Sequence, residues 1–330
     1  MSNTATCPVF LIIASDKFMP PLQSWSYEYT DADLKIGGWM SVPSGKPILH
    51  FLHGTGFCSR AYTQLLQNLL ADFDLFMSDI SGHGVSTHGK RYLGWDGNAE
   101  VALLAFQAHR HLFADVPAFG VGHSYGGALT ALMAHNRSHP FRACVLLDPM
   151  IATPLAISAF SVVKLLGLAK RTPLARAALR RQTRWESLAT ARNYFQIRGP
   201  YRHWHPEALT DFLHHAFCKT ATGEVEMRLS RERETEMYCS APDDLWATLR
   251  ALQTPTRIIC AKNGISIIPP AAHRASRVNP LISTEILEGR HCFPLEKPTD
   301  TATKLRETLR ELQELNTGQP PDQTKMTDFV

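Results

Sequence analysis

The chain has 330 residues with a formal net charge of +4, 44% hydrophobic and 19% charged. Those are values of a globular protein, and the length allows one to three domains around a sizeable core. Seven cysteines, an odd number with no Cys-x-x-Cys pair, argue against a disulfide framework and against a structural zinc site.

The first apolar run, Val9-Phe10-Leu11-Ile12-Ile13-Ala14, has no basic segment before it and is too short for a secretory or membrane-spanning segment. It is expected to lie against the core as an extra strand or to cover an apolar groove, and a cytoplasmic location follows from these absences. Trp25 to Ser41 reads as two alternating strands joined near Asp31-Ala32-Asp33. Strands and helices then alternate, the signature of a mostly parallel α/β sheet. Tyr62–Leu70 and Ala99–Arg110 are helical runs, and the pattern breaks after Met150. From there to about Tyr238 the sequence predicts helices and no clear strand, and α/β alternation resumes at Leu245. No internal repeat is visible. The polar stretch from Asn316 to Val330 is expected to be disordered.

Chemistry concentrates in three turns. A short apolar strand runs into Gly122-His123-Ser124-Tyr125-Gly126, and a helix-forming run follows at once. In that context Gly-x-Ser-x-Gly is a nucleophile turn: the glycines leave room for a sharp bend that holds the Ser124 hydroxyl above the sheet, at the positive end of the next helix. A nucleophilic serine needs a base, a group that orients the base, and donors for the oxyanion. His53-Gly54-Thr55-Gly56 ends a buried-looking strand, so the amides of Thr55 and Tyr125 are the candidate oxyanion donors. Near the far end, the strand Ser283 to Leu287 leads into Gly289-Arg290-His291. His291 is thereby placed on a loop at the same sheet edge as Ser124, as the candidate base.

These motifs, together with Asp79-Ile80-Ser81-Gly82-His83-Gly84-Val85-Ser86 and Glu296-Lys297-Pro298, give the chain a resemblance to the α/β-hydrolase family over roughly residues 24–315. The resemblance implies an α/β-hydrolase fold in two parts, 1–150 and 241–315, with a helical cap inserted over 151–240 and a tail at 316–330. It also implies that Asp79 and Ser86 hold loops in place. The chain departs from the family at the acid. The usual position follows the strand Thr256–Cys260, yet no carboxylate lies between Arg257 and Thr284. Asp148, in Leu146-Leu147-Asp148-Pro149 at the end of the strand after the nucleophile helix, is the best substitute, since some family members carry their acid there. Asp243, Asp244 and a site without a carboxylate are the alternatives.

The expected function is hydrolysis of a carboxylic ester by Ser124, His291 and Asp148 through an acyl-enzyme, with no cofactor and no metal. Thioester, amide or C–C bond cleavage, acyl transfer, or ligand binding without catalysis are the alternatives on the same scaffold. Between Lys164 and Arg202 there are ten Lys or Arg against one acid, Glu186. A solvated helix face accounts for this. Leu165-Leu166-Gly167-Leu168 beside Lys170-Arg171 adds a case for weak, reversible contact with a membrane surface. No nucleic-acid recognition motif accompanies the charge. The pairs His109/His111, His203/His205 and His214/His215 lack the carboxylates or cysteines of a metal site and read as surface or cap residues. Oligomeric state is left open by the sequence.

Overall fold

The computed structural model describes residues 21–317, so the Val9–Ala14 run and the tail beyond Thr317 lie outside the described residues. β1 (Gln23–Tyr29) and β2 (Leu34–Met40) form the expected antiparallel pair, in register from Gln23↔Met40 to Tyr29↔Leu34. β3 (Ile48–Leu52) leads through a 3-10 turn, the short helix α1 (Thr63–Leu66) and a second 3-10 turn to β4 (Asp74–Asp79). The helix expected over Tyr62–Leu70 is therefore one α-helical turn between two tighter ones. Next come α2 (Gly94–His109), β5 (Ala118–His123), α3 (Tyr125–His135) and β6 (Phe141–Leu147).

The following stretch holds α4 (Pro154–Leu165), α5 (Pro173–Arg180), β7 (Arg184–Trp185), α6 (Leu188–Phe195), α7 (Pro206–His215), β8 (Phe217–Lys219), β9 (Val225–Met227) and α8 (Arg231–Tyr238). Side-chain caps start several of these helices: Thr153 accepts from the Ala156 amide, Ser187 from Thr190 and Ser230 from Arg233. The three strands are a correction to the all-helical expectation. They pair antiparallel in the order β7-β9-β8 and run for only two or three residues each, too short to show a period of two. The chain closes with α9 (Leu245–Ala251), β10 (Thr256–Asn263), α10 (Ile268–Val278), β11 (Ile282–Arg290), α11 (Phe293–Glu296) and α12 (Pro298–Thr317).

The main sheet has eight strands in the order β1-β2-β4-β3-β5-β6-β10-β11. All neighbouring pairs from β4 to β11 are parallel, and β2 runs against the rest. Every residue of β3, β4 and β5 is buried, because helices cover both faces of a parallel sheet and leave no polar side. Alternate side chains feed two cores. Ile48, Leu52, Phe76, Leu146 and Ile258 pack with α2, α3 and α9. Leu49, Phe51, Leu75, Val121, Val145 and Ile259 pack with α7 and α12. After β3 the chain adds β4 on one side and β5 on the other. In an open α/β sheet, ligand crevices form beyond the carboxyl ends of strands at such a reversal.

Candidate active site

Ser124 stands at that reversal, between β5 and α3, with φ +55° and ψ −117°. A non-glycine residue with positive φ costs of order 1–3 kcal/mol and persists only where its surroundings over-determine it. The surroundings here are the flanking glycines. A Cβ on Gly122 would stand 2.2 Å from the Gly126 carbonyl oxygen, and one on Gly126 would stand 2.3 Å from the Leu52 carbonyl oxygen. No side chain fits at either place. The Ser124 carbonyl accepts from the Gly127, Ala128 and Met150 amides, which ties the bend both to α3 and to the loop after β6.

The three distant residues singled out in the sequence meet. The Ser124 hydroxyl lies 2.9 Å from His291 Nε2, and His291 Nδ1 lies 2.6 Å from Asp148 Oδ2. A carboxylate accepts, so His291 carries its proton on Nδ1 and leaves Nε2 free to accept from the hydroxyl. Asp148 is fully buried, while the His291 side chain is 22% exposed and faces the cavity described below. Asp148 follows β6 with φ +39°, a left-handed conformation that Asp tolerates better than most residues. Its other oxygen accepts from the Ala261 amide at 3.0 Å.

Gly264 explains the departure noted at the usual acid position. A Cβ there would stand 2.7 Å from Asp148 Oδ2. The loop after β10 therefore has no side chain where the carboxylate from β6 needs the space. Of the alternative acids, Asp244 caps α9 through the Ala247 amide, and it is Asp148, not Asp243 or Asp244, that meets the His291 ring.

Beyond β3, the Gly54 amide donates to Tyr62 Oη and the Gly56 amide to His83 Nε2. The Thr55 amide between them donates to no protein acceptor among the described residues. Tyr125 opens α3, and an amide in a first helical turn has no intrahelical acceptor. Thr55, Tyr125, Ser124 and His291 all line one cavity. The Asp79–Ser86 turn braces this edge: Asp79 accepts from the Ser59 and Val85 amides, and Ser86 Oγ donates to the Asp79 carbonyl.

Sequence reasoning missed a link that joins these pieces. Tyr62 Oη, accepting from Gly54, donates to His123 Nδ1 at 2.7 Å, and His123 Nε2 donates to the His291 carbonyl at 2.8 Å. Burial, with the neighbouring His291 adding to it, keeps the His123 ring well below the ordinary histidine range and so neutral. His123 was visible as the second residue of the Gly-x-Ser-x-Gly turn. Its partner Tyr62 is 61 residues away, and nothing in local spacing marks it.

The cavity measures about 850 Å³. Met150, Ile157, Phe160, Leu174, Phe195 and Leu245 supply apolar wall, much of it from α4–α8. Cys292 also lines it. Burial pushes that thiol up to about 12, so it is a protonated packing group. One buried ion pair interrupts the apolar lining, Arg181 Nη1 to Glu234 Oε1 at 2.7 Å, with Arg181 Nη2 also donating to Tyr201 Oη. Among the described residues no group of three or more His, Cys, Asp or Glu side chains is arranged to hold a metal, and no helix is long and apolar enough to cross a membrane. His109 and His111 bond the Ala105 and Ala108 backbone carbonyls, and His203 accepts from Arg202.

A model of the alpha/beta hydrolase family matches residues 51–304. Human (Homo sapiens) monoglyceride lipase is 32% identical over 129 residues, 38% of this chain and 42% of that protein. Lipase LipV of Mycobacterium tuberculosis is 33% identical over 110 residues, 33% of this chain and 40% of that one. The chain thus matches about two fifths of the length of these curated relatives. Among solved structures, E-2-(acetamidomethylene)succinate hydrolase superposes with a TM-score of 0.70 at 19% identity, covering 88% of this chain and 100% of that one. The peroxisomal alpha-beta-hydrolase Lpx1 of Saccharomyces cerevisiae gives 0.67 at 15% identity, covering 96% and 94%. At such identities the likeness is one of fold. The family match and the strand order agree, and the chain belongs to the alpha/beta hydrolase family.

Proposed function

We propose that the protein is a serine hydrolase that cleaves a carboxylic ester. The observation that carries this reading is the unbroken hydrogen-bonded line Ser124–His291–Asp148, opening on an apolar cavity. His291 takes the Ser124 proton as the hydroxyl oxygen attacks the acyl carbon, while Asp148 holds the ring and stabilises its positive charge. The Thr55 and Tyr125 amides receive the developing oxyanion, each worth about 3–4 kcal/mol by analogy with measured oxyanion donors. His291 then protonates the leaving alcohol, activates water by the same nitrogen, and the acyl-enzyme is hydrolysed. The lipase relatives, matched over part of their length, favour an ester over a thioester or C–C substrate. In this reading the α4–α8 segment is a cap over the site.

A covalent fluorophosphonate probe tests the proposal. The wild-type protein is expected to be labelled once and to hydrolyse p-nitrophenyl esters, and Ser124→Ala to do neither. An inert wild type would instead favour a ligand-binding protein on this scaffold.

The outer surface of α4 supports one addition. Leu155 is 81% and Leu165 86% exposed, with Val162 and Leu166 beside them, and Lys164, Lys170 and Arg171 adjoin. An exposed apolar face next to cations suits reversible contact with an anionic lipid surface.

A further inference from the structure

The charged side chains lining the cavity are Arg180, Arg181, Arg198 and Glu234. Glu234 neutralises Arg181, which is the most enclosed of the three arginines and lies over the loop that carries Thr55. A Cβ on Gly56 would stand 3.3 Å from Arg181 Nη1. That pair lies close to the loop and adds no net charge. Arg180, the last residue of α5, and Arg198 have no carboxylate partner among the described residues. The Arg198 guanidinium lies over the Tyr194 ring, its carbon 4.0 Å from the ring centroid. The lining therefore carries two positive charges in excess, both on exposed residues beside walls that are mostly apolar. A cleft of one sign with low-dielectric walls focuses its field and concentrates ligands of the opposite sign. Guanidinium is also the side-chain group best matched to a carboxylate or phosphate.

We infer that the preferred substrate is an ester that also carries an anionic oxygen group, carboxylate or phosphate, bound by Arg180 and Arg198 while its acyl carbon is presented to Ser124. The inference rests on the serine-hydrolase reading above and narrows its substrate class. Arg180 and Arg198 are specificity residues in it and take no part in bond making.

Matched ester pairs test it. Mono-p-nitrophenyl adipate and p-nitrophenyl hexanoate differ only in a terminal carboxylate on the acyl side. O-hexanoylglycolate and 2-(hexanoyloxy)ethyl phosphate, each against ethyl hexanoate, put a carboxylate or a phosphate on the alcohol side. At least one anionic ester is expected to show a kcat/KM about tenfold or more above its neutral partner at low salt, an advantage that shrinks as ionic strength rises. The Arg180→Gln/Arg198→Gln double variant is expected to bring that ratio to about one, and Arg180→Lys/Arg198→Lys to restore part of it. Where turnover is slow, protection of Ser124 from the fluorophosphonate probe gives the same comparison. Neutral esters favoured throughout, with Ser124 still labelled, overturn this inference alone. A protein neither labelled nor active on any ester overturns the hydrolase reading and this inference with it.

Discussion

At the scale of single residues, the site turns on how a buried carboxylate reaches a histidine from an unusual strand. Asp148 is enclosed on every side, accepts from the Ala261 amide and holds His291 Nδ1, and the bare Gly264 leaves it room. If Asp148 orients the base, Asp148→Asn removes the acceptor that fixes the tautomer while keeping the size of the side chain. Ester turnover is expected to fall about 10⁴-fold, the effect of the corresponding change in a serine triad. Circular dichroism should be unchanged and probe labelling much slower. Turnover within a few-fold of wild type would move the orienting role to another group.

At the scale of elements, two pieces of local chain shape the candidate site and its surroundings. The β5–α3 bend places Ser124 by exclusion, because Gly122 and Gly126 sit where any Cβ would meet backbone. Helix α4 has no buried residue: Ala156, Ile157 and Phe160 line the cavity while Leu155, Val162 and Leu165 face out. A helix apolar on both sides is stable in water only at a cost, and a lipid surface would relieve it. Co-sedimentation with phosphatidylcholine vesicles containing phosphatidylserine is expected for the wild type and to weaken about tenfold or more in Leu155→Glu/Leu165→Glu, since burying each leucine contributes roughly 1.5–3 kcal/mol. Sedimentation that does not distinguish the two proteins, or no binding by either, would remove lipid contact from the proposal.

At the scale of the whole molecule, the interior holds several histidines as neutral rings. Burial pushes His50 down to about 3 and lowers His53, His83, His123 and His215 from the ordinary 6.5. The unfolded chain takes up a proton on each ring as the pH drops through that value, while the folded chain does not. Stability is therefore complete above about pH 6.5 and is lost as the pH falls toward the folded-state values, by up to about 1.4 kcal/mol per pH unit for each ring. The melting temperature is expected to be clearly lower at about pH 5.5 than at about pH 7.5. Equal values would mean that the rings are protonated in the fold.

The sequence by itself determined the family, the alternation of strands and helices, the turns whose residues pointed to Ser124, His291 and the Thr55 and Tyr125 amides, and the strand end that pointed to Asp148. It could do so because strand period, glycine at a forced bend and chain order are local properties. The Asp148 assignment drew on an absence, the missing carboxylate after β10, which is also readable along the chain. Only the tertiary structure decided what depends on contacts between distant segments. Tyr62 bonded through His123 to the His291 carbonyl, Gly264 making room for Asp148, and Arg181 paired with Glu234 all join residues far apart along the chain. The short strands β7–β9 belong with these, because two or three residues carry too little period to be read, and pairing across the segment makes them strands.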